Sequence, residues 1–149
     1  MSYETIEVAP LTPAIGAEIH GVDLSQPLDD RTFSEIHDAW MRHLVIFFRD
    51  QDLTLEQQKA FGRRFGELHI HPATQSPQGH PEIFAVHTDG NSRLSEGNGW
   101  HSDVSCDPEP PLGSILRLHT LPATGGDTLF SNMYLVYENL SESMKSHVA

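Results

Sequence analysis

The spacing of apolar residues divides the first third of the chain into short strands and a helix. Residues 6–11 and 15–22 have the composition of strands and are bounded by proline and glycine. Apolar residues from Phe33 to Leu44 recur at helical spacing, which predicts a helix with one apolar face. Residues 44–48 form a continuous apolar run, which predicts a fully buried strand.

A capping-box motif predicts the start of a second helix. Thr54 precedes Gln57 by three residues, the spacing at which each side chain can bond to the other's backbone N–H group. Phe61 and Phe65 follow on this helix, and Gly66 predicts its end. Further on, the pattern predicts loops at 72–81 and 88–99, strands at 82–87, 114–120 and 127–131, and helical segments at 132–140 and 142–148.

Composition excludes several classes of protein. The 149 residues suit one domain, and the six aromatic residues between Phe33 and Phe65 are expected in its core. A net charge of −12 opposes binding to a nucleic-acid backbone. The only cysteine is Cys106, which rules out a disulfide framework. With no apolar stretch of ~18 residues and no basic, apolar leader, we expect a cytoplasmic protein without a membrane partner.

The chain contains ten histidines, which directs attention to metal binding. In a strand, His101 and Asp103 would point to the same face, so an imidazole and a carboxylate could reach one ion. These donors suit Fe(II). Taken alone the pattern is unspecific, because this composition produces about 0.7 such pairs by chance. A second pair, His87 and Asp89, runs directly into a Gly-Asn turn and is interpreted as a strand end.

The surrounding motifs make the first pair more informative. The sequence WHSD at 100–103 is followed by PP at 110–111 and LPATGGDT at 121–128. This order resembles the taurine dioxygenase/TfdA family of Fe(II)- and 2-oxoglutarate-dependent dioxygenases. Segments at 15–17, 21–24, 48–51 and 64–72 are also similar to that family, so the resemblance spans nearly the whole chain.

The resemblance implies roles for four residues. His101 and Asp103 would be metal ligands for Fe(II), and Thr128 would donate a hydrogen bond to a carboxylate of the co-substrate 2-oxoglutarate. His71 would contact the substrate, where an imidazole suits an anionic group. Without the family, Thr128 would be interpreted as an ordinary strand residue and His71 as a surface loop residue.

The implied reaction is hydroxylation of a small, anionic organic substrate that bears a sulfonate, sulfate or carboxylate. It consumes O2 and converts 2-oxoglutarate to succinate and CO2. Taurine itself is disfavoured, because Thr74 and Gly97 stand where the taurine enzyme has a tyrosine and an asparagine. Trp100 would either line the site or pack beside it.

The resemblance also predicts the fold, a mainly β structure with flanking α-helices built on part of a double-stranded β-helix, or jelly roll. The family has a distal histidine ligand and an arginine for 2-oxoglutarate, whereas after Thr128 this chain has only His147 and no arginine. We therefore expect residues 1–149 to be the N-terminal part of one dioxygenase domain, with its C-terminal half missing. Such a fragment is expected to be inactive alone.

Two alternatives to the dioxygenase stay open at the level of the sequence. The chain could be a non-catalytic, β-rich remnant that binds a small acid or a partner chain. Alternatively, His69 and His71 could join His101 or Asp103 in the metal site of a zinc hydrolase. Assembly into a homo-oligomer is compatible with either function.

Overall fold

A computed structural model of the chain describes residues 3–71, 76–89, 92 and 99–148. The chain divides into two compact units, one comprising Met1–Asp52 with Thr120–Ala149 and the other Leu53–His119. Within the described ranges, no helix has both the length and the apolar character that a membrane span requires.

A three-stranded sheet organises the first unit. Its strands are β1 (Glu7–Pro10), β2 (Ala17–His20) and β3 (Ile46–Phe47), in the order β1-β2-β3. β1 and β2 are antiparallel, whereas β2 and β3 are parallel. The strands predicted at 6–11 and 15–22 are confirmed. The predicted strand at 44–48 is reduced to two residues and is half-buried instead of fully buried, since β3 lies at the sheet edge.

Helix α1 (Asp30–His43) links β2 to β3 and confirms the helical spacing. Its start is fixed by Asp29, whose carboxylate accepts the N–H of Thr32 at 2.8 Å. Its end is fixed by Leu44, whose N–H donates to the carbonyl of Trp40 at 2.7 Å from a left-handed conformation with φ 67°.

The core of the first unit is aliphatic. Its buried apolar residues are Ile6, Ala17, Ile19, Leu24, Ile36 and Ala39. The aromatic residues predicted as core, Phe33, Trp40, Phe47 and Phe48, are only half-buried. The sequence pattern identified the correct face of α1, but the apolar residues buried on it are Ile36 and Ala39, not the aromatic ones.

The second unit begins with helix α2 (Leu55–Arg63). The capping box is confirmed, because the N–H of Gln57 donates to Oγ1 of Thr54 at 3.2 Å and Oε1 of Gln57 accepts the N–H of Thr54 at 2.8 Å. The helix ends at Arg63, earlier than the predicted stop at Gly66. Phe61 is buried and meets the half-buried Phe65 edge-on, with ring centroids 5.3 Å apart.

The predictions for the later part of the chain were right for helices and wrong for strands. Helices α3 (Met133–Glu138) and α4 (Glu142–Val148) are present. Residues 82–87, 114–120 and 127–131 lie outside any sheet. A strand is stabilised by hydrogen bonds to a neighbouring strand, and the described residues pair no strand with these segments. Of the predicted loops, residues 72–75, 90–91 and 93–98 lie outside the described ranges.

Candidate functional site

The structure places the side chains of His101 and Asp103 against each other. Nε2 of His101 lies 3.2 Å from Oδ1 of Asp103, and the side chains are 56% and 54% exposed. The expected strand is absent, since residues 100–102 are irregular and residues 103–106 form a turn. The two side chains therefore meet because the backbone bends into this turn, and not because alternate residues of a strand share one face.

A backbone carbonyl orients the imidazole of His101. Nδ1 of His101 lies 2.8 Å from the carbonyl oxygen of Gly99. A carbonyl oxygen can only accept, so Nδ1 carries the hydrogen and, in the neutral ring, Nε2 presents its lone pair toward Asp103. A ring nitrogen and a carboxylate oxygen are both donor types that Fe(II) accepts.

The spacing of this pair fits an octahedral ferrous ion. Two adjacent ligands that each lie about 2.1 Å from one ion are about 3.0 Å apart, close to the Nε2–Oδ1 separation. The other His-x-Asp pair is farther apart and its imidazole is more exposed: Nε2 of His87 lies 3.8 Å from Oδ2 of Asp89, and the His87 side chain is 85% exposed. Of the two pairs, residues 101 and 103 therefore have the separation that is closer to this ligand spacing.

The histidines at 69 and 71 make different contacts. His71 is half-buried, and its ring stacks on that of Phe84 with centroids 5.2 Å apart and planes 3° from parallel. Nε2 of His69 lies 2.9 Å from Oδ2 of Asp107. Neither Phe84 nor Asp107 was singled out from the sequence, because their partners lie 13 and 38 residues away and no motif marks them.

The zinc-hydrolase alternative finds no support in this geometry. It requires three ligands drawn from His69, His71, His101 and Asp103. Across the ranges that the structure describes, no three His, Cys, Asp or Glu side chains are grouped so that they could hold a metal ion. Nε2 of His69, moreover, is bonded to Asp107.

The remaining predicted site residues are less constrained. Thr128 is exposed and belongs to the first unit, whereas His71, His101 and Asp103 belong to the second. Trp100 is exposed next to His101, and Cys106 is exposed in the turn after Asp103. Thr74 and Gly97, the two departures from the taurine enzyme, lie outside the described residues.

Comparison with known proteins identifies the class. The family model "Taurine catabolism dioxygenase TauD, TfdA family" matches residues 7–149. The chain therefore belongs to the TauD/TfdA family, whose members are 2-oxoglutarate-dependent dioxygenases, and the resemblance deduced from the motifs is confirmed.

Individual relatives share a third or more of the residues. An alkylsulfatase of Acinetobacter baylyi is 39% identical over 143 residues, covering 95% of this chain and 44% of the relative. An (S)-phenoxypropionate/alpha-ketoglutarate-dioxygenase of Sphingobium herbicidovorans is 35% identical over 145 residues, covering 95% and 50%. The crystal structure of a taurine dioxygenase from Burkholderia xenovorans matches with a TM-score of 0.84 and 43% identity, covering 97% and 51%. The chain thus spans about half the length of these proteins.

Proposed function

We propose that this chain supplies part of the active site of an Fe(II)- and 2-oxoglutarate-dependent dioxygenase that hydroxylates a small anionic organic substrate. The observation that supports the proposal most directly is the 3.2 Å approach of Nε2 of His101 to Oδ1 of Asp103. The carbonyl of Gly99 fixes the tautomer that directs Nε2 toward that carboxylate.

In this proposal, His101 and Asp103 provide two of three ligands on one face of the ion. When bound, iron supplies the redox chemistry that couples oxidation of 2-oxoglutarate by O2, yielding succinate and CO2, to hydroxylation of the substrate. The negative charge of Asp103 offsets part of the charge of the ion. The bond from His101 to the main chain keeps the ring from rotating away.

Thr128 holds the co-substrate. Its hydroxyl donates a hydrogen bond to a carboxylate of 2-oxoglutarate, a charge-assisted bond of the stronger kind. Thr128 is exposed, so its hydroxyl is accessible to a ligand. Completion of the site requires a distal histidine and an arginine, and after Thr128 the sequence has no arginine and only His147. We therefore propose that residues 1–149 alone bind iron weakly and do not turn over.

His71 contacts the anionic group of the substrate. The names of the relatives refer to alkyl sulfate, phenoxypropionate and taurine, which carry a sulfate, a carboxylate and a sulfonate. A histidine ring can donate a hydrogen bond to any of these anions. The stacked ring of Phe84 supports the imidazole from one face and restricts its orientation. A sulfate-, sulfonate- or carboxylate-bearing compound other than taurine is the proposed substrate.

The jelly-roll fold is also part of the proposal. The exposed segments at 114–120 and 127–131 have strand composition but no strand partner among the described residues. In the whole protein they would pair with further strands, because extended backbone reaches its full stability only beside a neighbour. The taurine dioxygenase in the crystal structure is about twice as long as the region that it shares with this chain. That shared region covers 97% of this chain.

The function is tested by adding 2-oxoglutarate and Fe(II), at concentrations high enough to load the weak iron site, under anaerobic conditions and recording the visible spectrum. A 2-oxo acid that chelates Fe(II) through its keto and carboxylate oxygens gives a metal-to-ligand charge-transfer band. Succinate, which lacks the 2-oxo group, is the matched control and should give none. A folded chain that yields the same spectrum with both acids contradicts the proposal and favours the non-catalytic alternative.

A further inference from the structure

A hydrogen bond between His69 and Asp107 joins two distant segments of the second unit. Nε2 of His69 lies 2.9 Å from Oδ2 of Asp107, and the residues are 38 positions apart. The side chains are 30% and 35% exposed. A carboxylate oxygen accepts, so the ring donates from Nε2. Because the pair is partly buried and its distance is short, the bond restrains the two segments more firmly than an exposed ion pair would.

At one end, the bond restrains the turn that carries Asp103. Residues 103–106 form this turn, and the N–H of Asp107 donates to the carbonyl of Val104 at 3.2 Å. Val104 has a φ of 48°, in the left-handed region that β-branched residues rarely adopt. Such a conformation persists only where neighbouring contacts hold it. The bond from His69 to Asp107 is one of these contacts.

At the other end, the bond restrains the segment that carries His71. The rings of His69 and His71 meet edge to face, with centroids 6.4 Å apart and planes at 77°. His71 in turn stacks on Phe84 at 5.2 Å. Fixing the ring of His69 therefore limits the positions that the ring of His71 can occupy.

We propose that His69 and Asp107 form a positioning pair, which sets His71 at a fixed spacing from the turn that bears Asp103. The roles of His71 and Asp103 rest on the proposed function. In this arrangement neither His69 nor Asp107 touches the metal or the substrate. The pair prepares the spacing between the anion-binding imidazole and the metal-binding carboxylate before the substrate arrives, which limits the reorganisation needed for reaction.

The experiment compares two amide variants of His69 in the full chain. Gln at position 69 can place its Nε2 donor near that of the histidine, whereas Asn is one methylene shorter and cannot reach Asp107. His69→Gln should therefore preserve the positioning and His69→Asn should abolish it. Asp107→Ala removes the bond from the opposite side. His20→Asn is the matched control, since His20 belongs to β2 of the first unit and lies 3.6 Å from the carboxylate of Glu18.

The measured quantities are the NMR signals of the His71 ring, which the stacked Phe84 ring displaces, and the backbone signals of residues 101–106. We expect both sets to shift in His69→Asn and in Asp107→Ala, and to stay at their wild-type positions in His69→Gln and His20→Asn. If His69→Asn and Asp107→Ala disturb only their immediate neighbours, the pair positions nothing and the proposal is wrong. Far-UV circular dichroism verifies that each variant folds. If Asp107→Ala does not fold, Asp107→Leu, which has a similar shape and no acceptor, replaces it.

A titration with Mn(II) separates this proposal from the proposed function. Paramagnetic broadening of the His101 ring signals reports metal binding, and broadening of the His71 signals reports the spacing between the two sites. The positioning proposal expects His69→Asn to keep the broadening of His101 and to change the extent of broadening at His71. If the His101 signals of the wild-type chain do not broaden, the metal site is contradicted and the positioning pair is not. The NMR comparison without metal still decides whether His69 positions His71.

Discussion

The carbonyl oxygen of Gly99 lies 2.8 Å from Nδ1 of His101 and so determines which nitrogen of that ring is free to bind. Because Nδ1 must donate to the carbonyl, Nε2 is left to face Asp103 at 3.2 Å. The backbone two residues before the histidine thus acts as its orienting partner. Hydrogen bonds of this kind commonly orient metal-ligating histidines.

Removal of His101 should weaken metal binding much more than removal of His87. His101→Ala and Asp103→Asn each delete one of two ligands, so we expect the affinity of the chain for Mn(II) to fall by about 100-fold or more, beyond the ~10–100-fold typical of a lost outer-shell partner. His87→Ala, in the looser His-x-Asp pair, should leave the affinity unchanged. Titration followed by electron paramagnetic resonance of free Mn(II) measures both. Equal losses at positions 87 and 101 would contradict the assignment.

Replacement of Thr128 should affect 2-oxoglutarate and not the metal. Thr128→Val removes the hydroxyl while retaining the shape of the side chain. A hydrogen bond to a charged group contributes about 1.5–3 kcal/mol, so we expect a loss of ~10–100-fold in 2-oxoglutarate affinity. Thr128→Ser keeps the hydroxyl and should bind nearly as the wild type does. Titration of the charge-transfer band gives the affinities, and an unchanged value for Thr128→Val would remove Thr128 from the site.

Glu35 should make stability depend on pH in the acid range. Hydrogen bonds from the backbone N–H of Thr5, the N–H of Glu4 and the hydroxyl of Thr5, together with the charge of Arg31, lower the pKa of Glu35 from 4.5 to about 2 against the opposing effect of desolvation. A carboxylate with a lowered pKa in the folded state contributes stability that is fully present above pH 4.5 and is lost as the pH falls toward about 2.

Glu35→Gln removes this titration. We expect the free energy of unfolding of the variant to change less between pH 5 and pH 2 than that of the wild type, as measured by urea denaturation at several pH values. Glu7→Gln, at an exposed position of β1, serves as the control and should follow the wild-type curve. Parallel curves for Glu35→Gln and the wild type would show that the bonds to Thr5 and Glu4 do not hold Glu35 ionised.

The cap of α2 should contribute measurably to stability. Thr54→Ala removes the acceptor for the N–H of Gln57 and the hydroxyl that donates to Oε1 of Gln57 at 2.9 Å. Loss of such a cap lowers the free energy of unfolding by about 1 kcal/mol. Thr54→Ser retains the hydroxyl and should lower the free energy of unfolding by only a few tenths of that amount. Chemical denaturation provides the comparison, and equal stability of the Ala and Ser variants would contradict the role of the hydroxyl.

The exposed apolar residues near residue 115 should cause self-association. Leu112, Leu116 and Leu118 are each more than half exposed. Exposed apolar groups that lie close together along an unpaired segment promote association. We expect the sedimentation coefficient of the chain to rise with concentration, and the double variant Leu116→Gln, Leu118→Gln to reduce this rise. A chain that stays monomeric at every concentration would contradict the expectation.

The sequence was sufficient where the stabilising contacts are local. Asp29 and Thr54 cap their helices through residues three positions away, so α1 and α2 could be located from spacing alone. The strands β1 and β2 were also found, because a short turn brings them together. The strands expected at 114–120 and 127–131 were not, since the hydrogen bonds that would define them require a backbone remote in sequence.

For the candidate site, the sequence alone identified the family and the proposed pair of metal ligands, because WHSD and LPATGGDT are contiguous motifs. Only the tertiary structure decided how the groups are oriented. The acceptor at Gly99 is a main-chain atom that every residue type possesses, and the bond from His69 to Asp107 spans 38 residues. Sequence therefore specified which chemical groups are present, while the path of the folded backbone determined which of them meet.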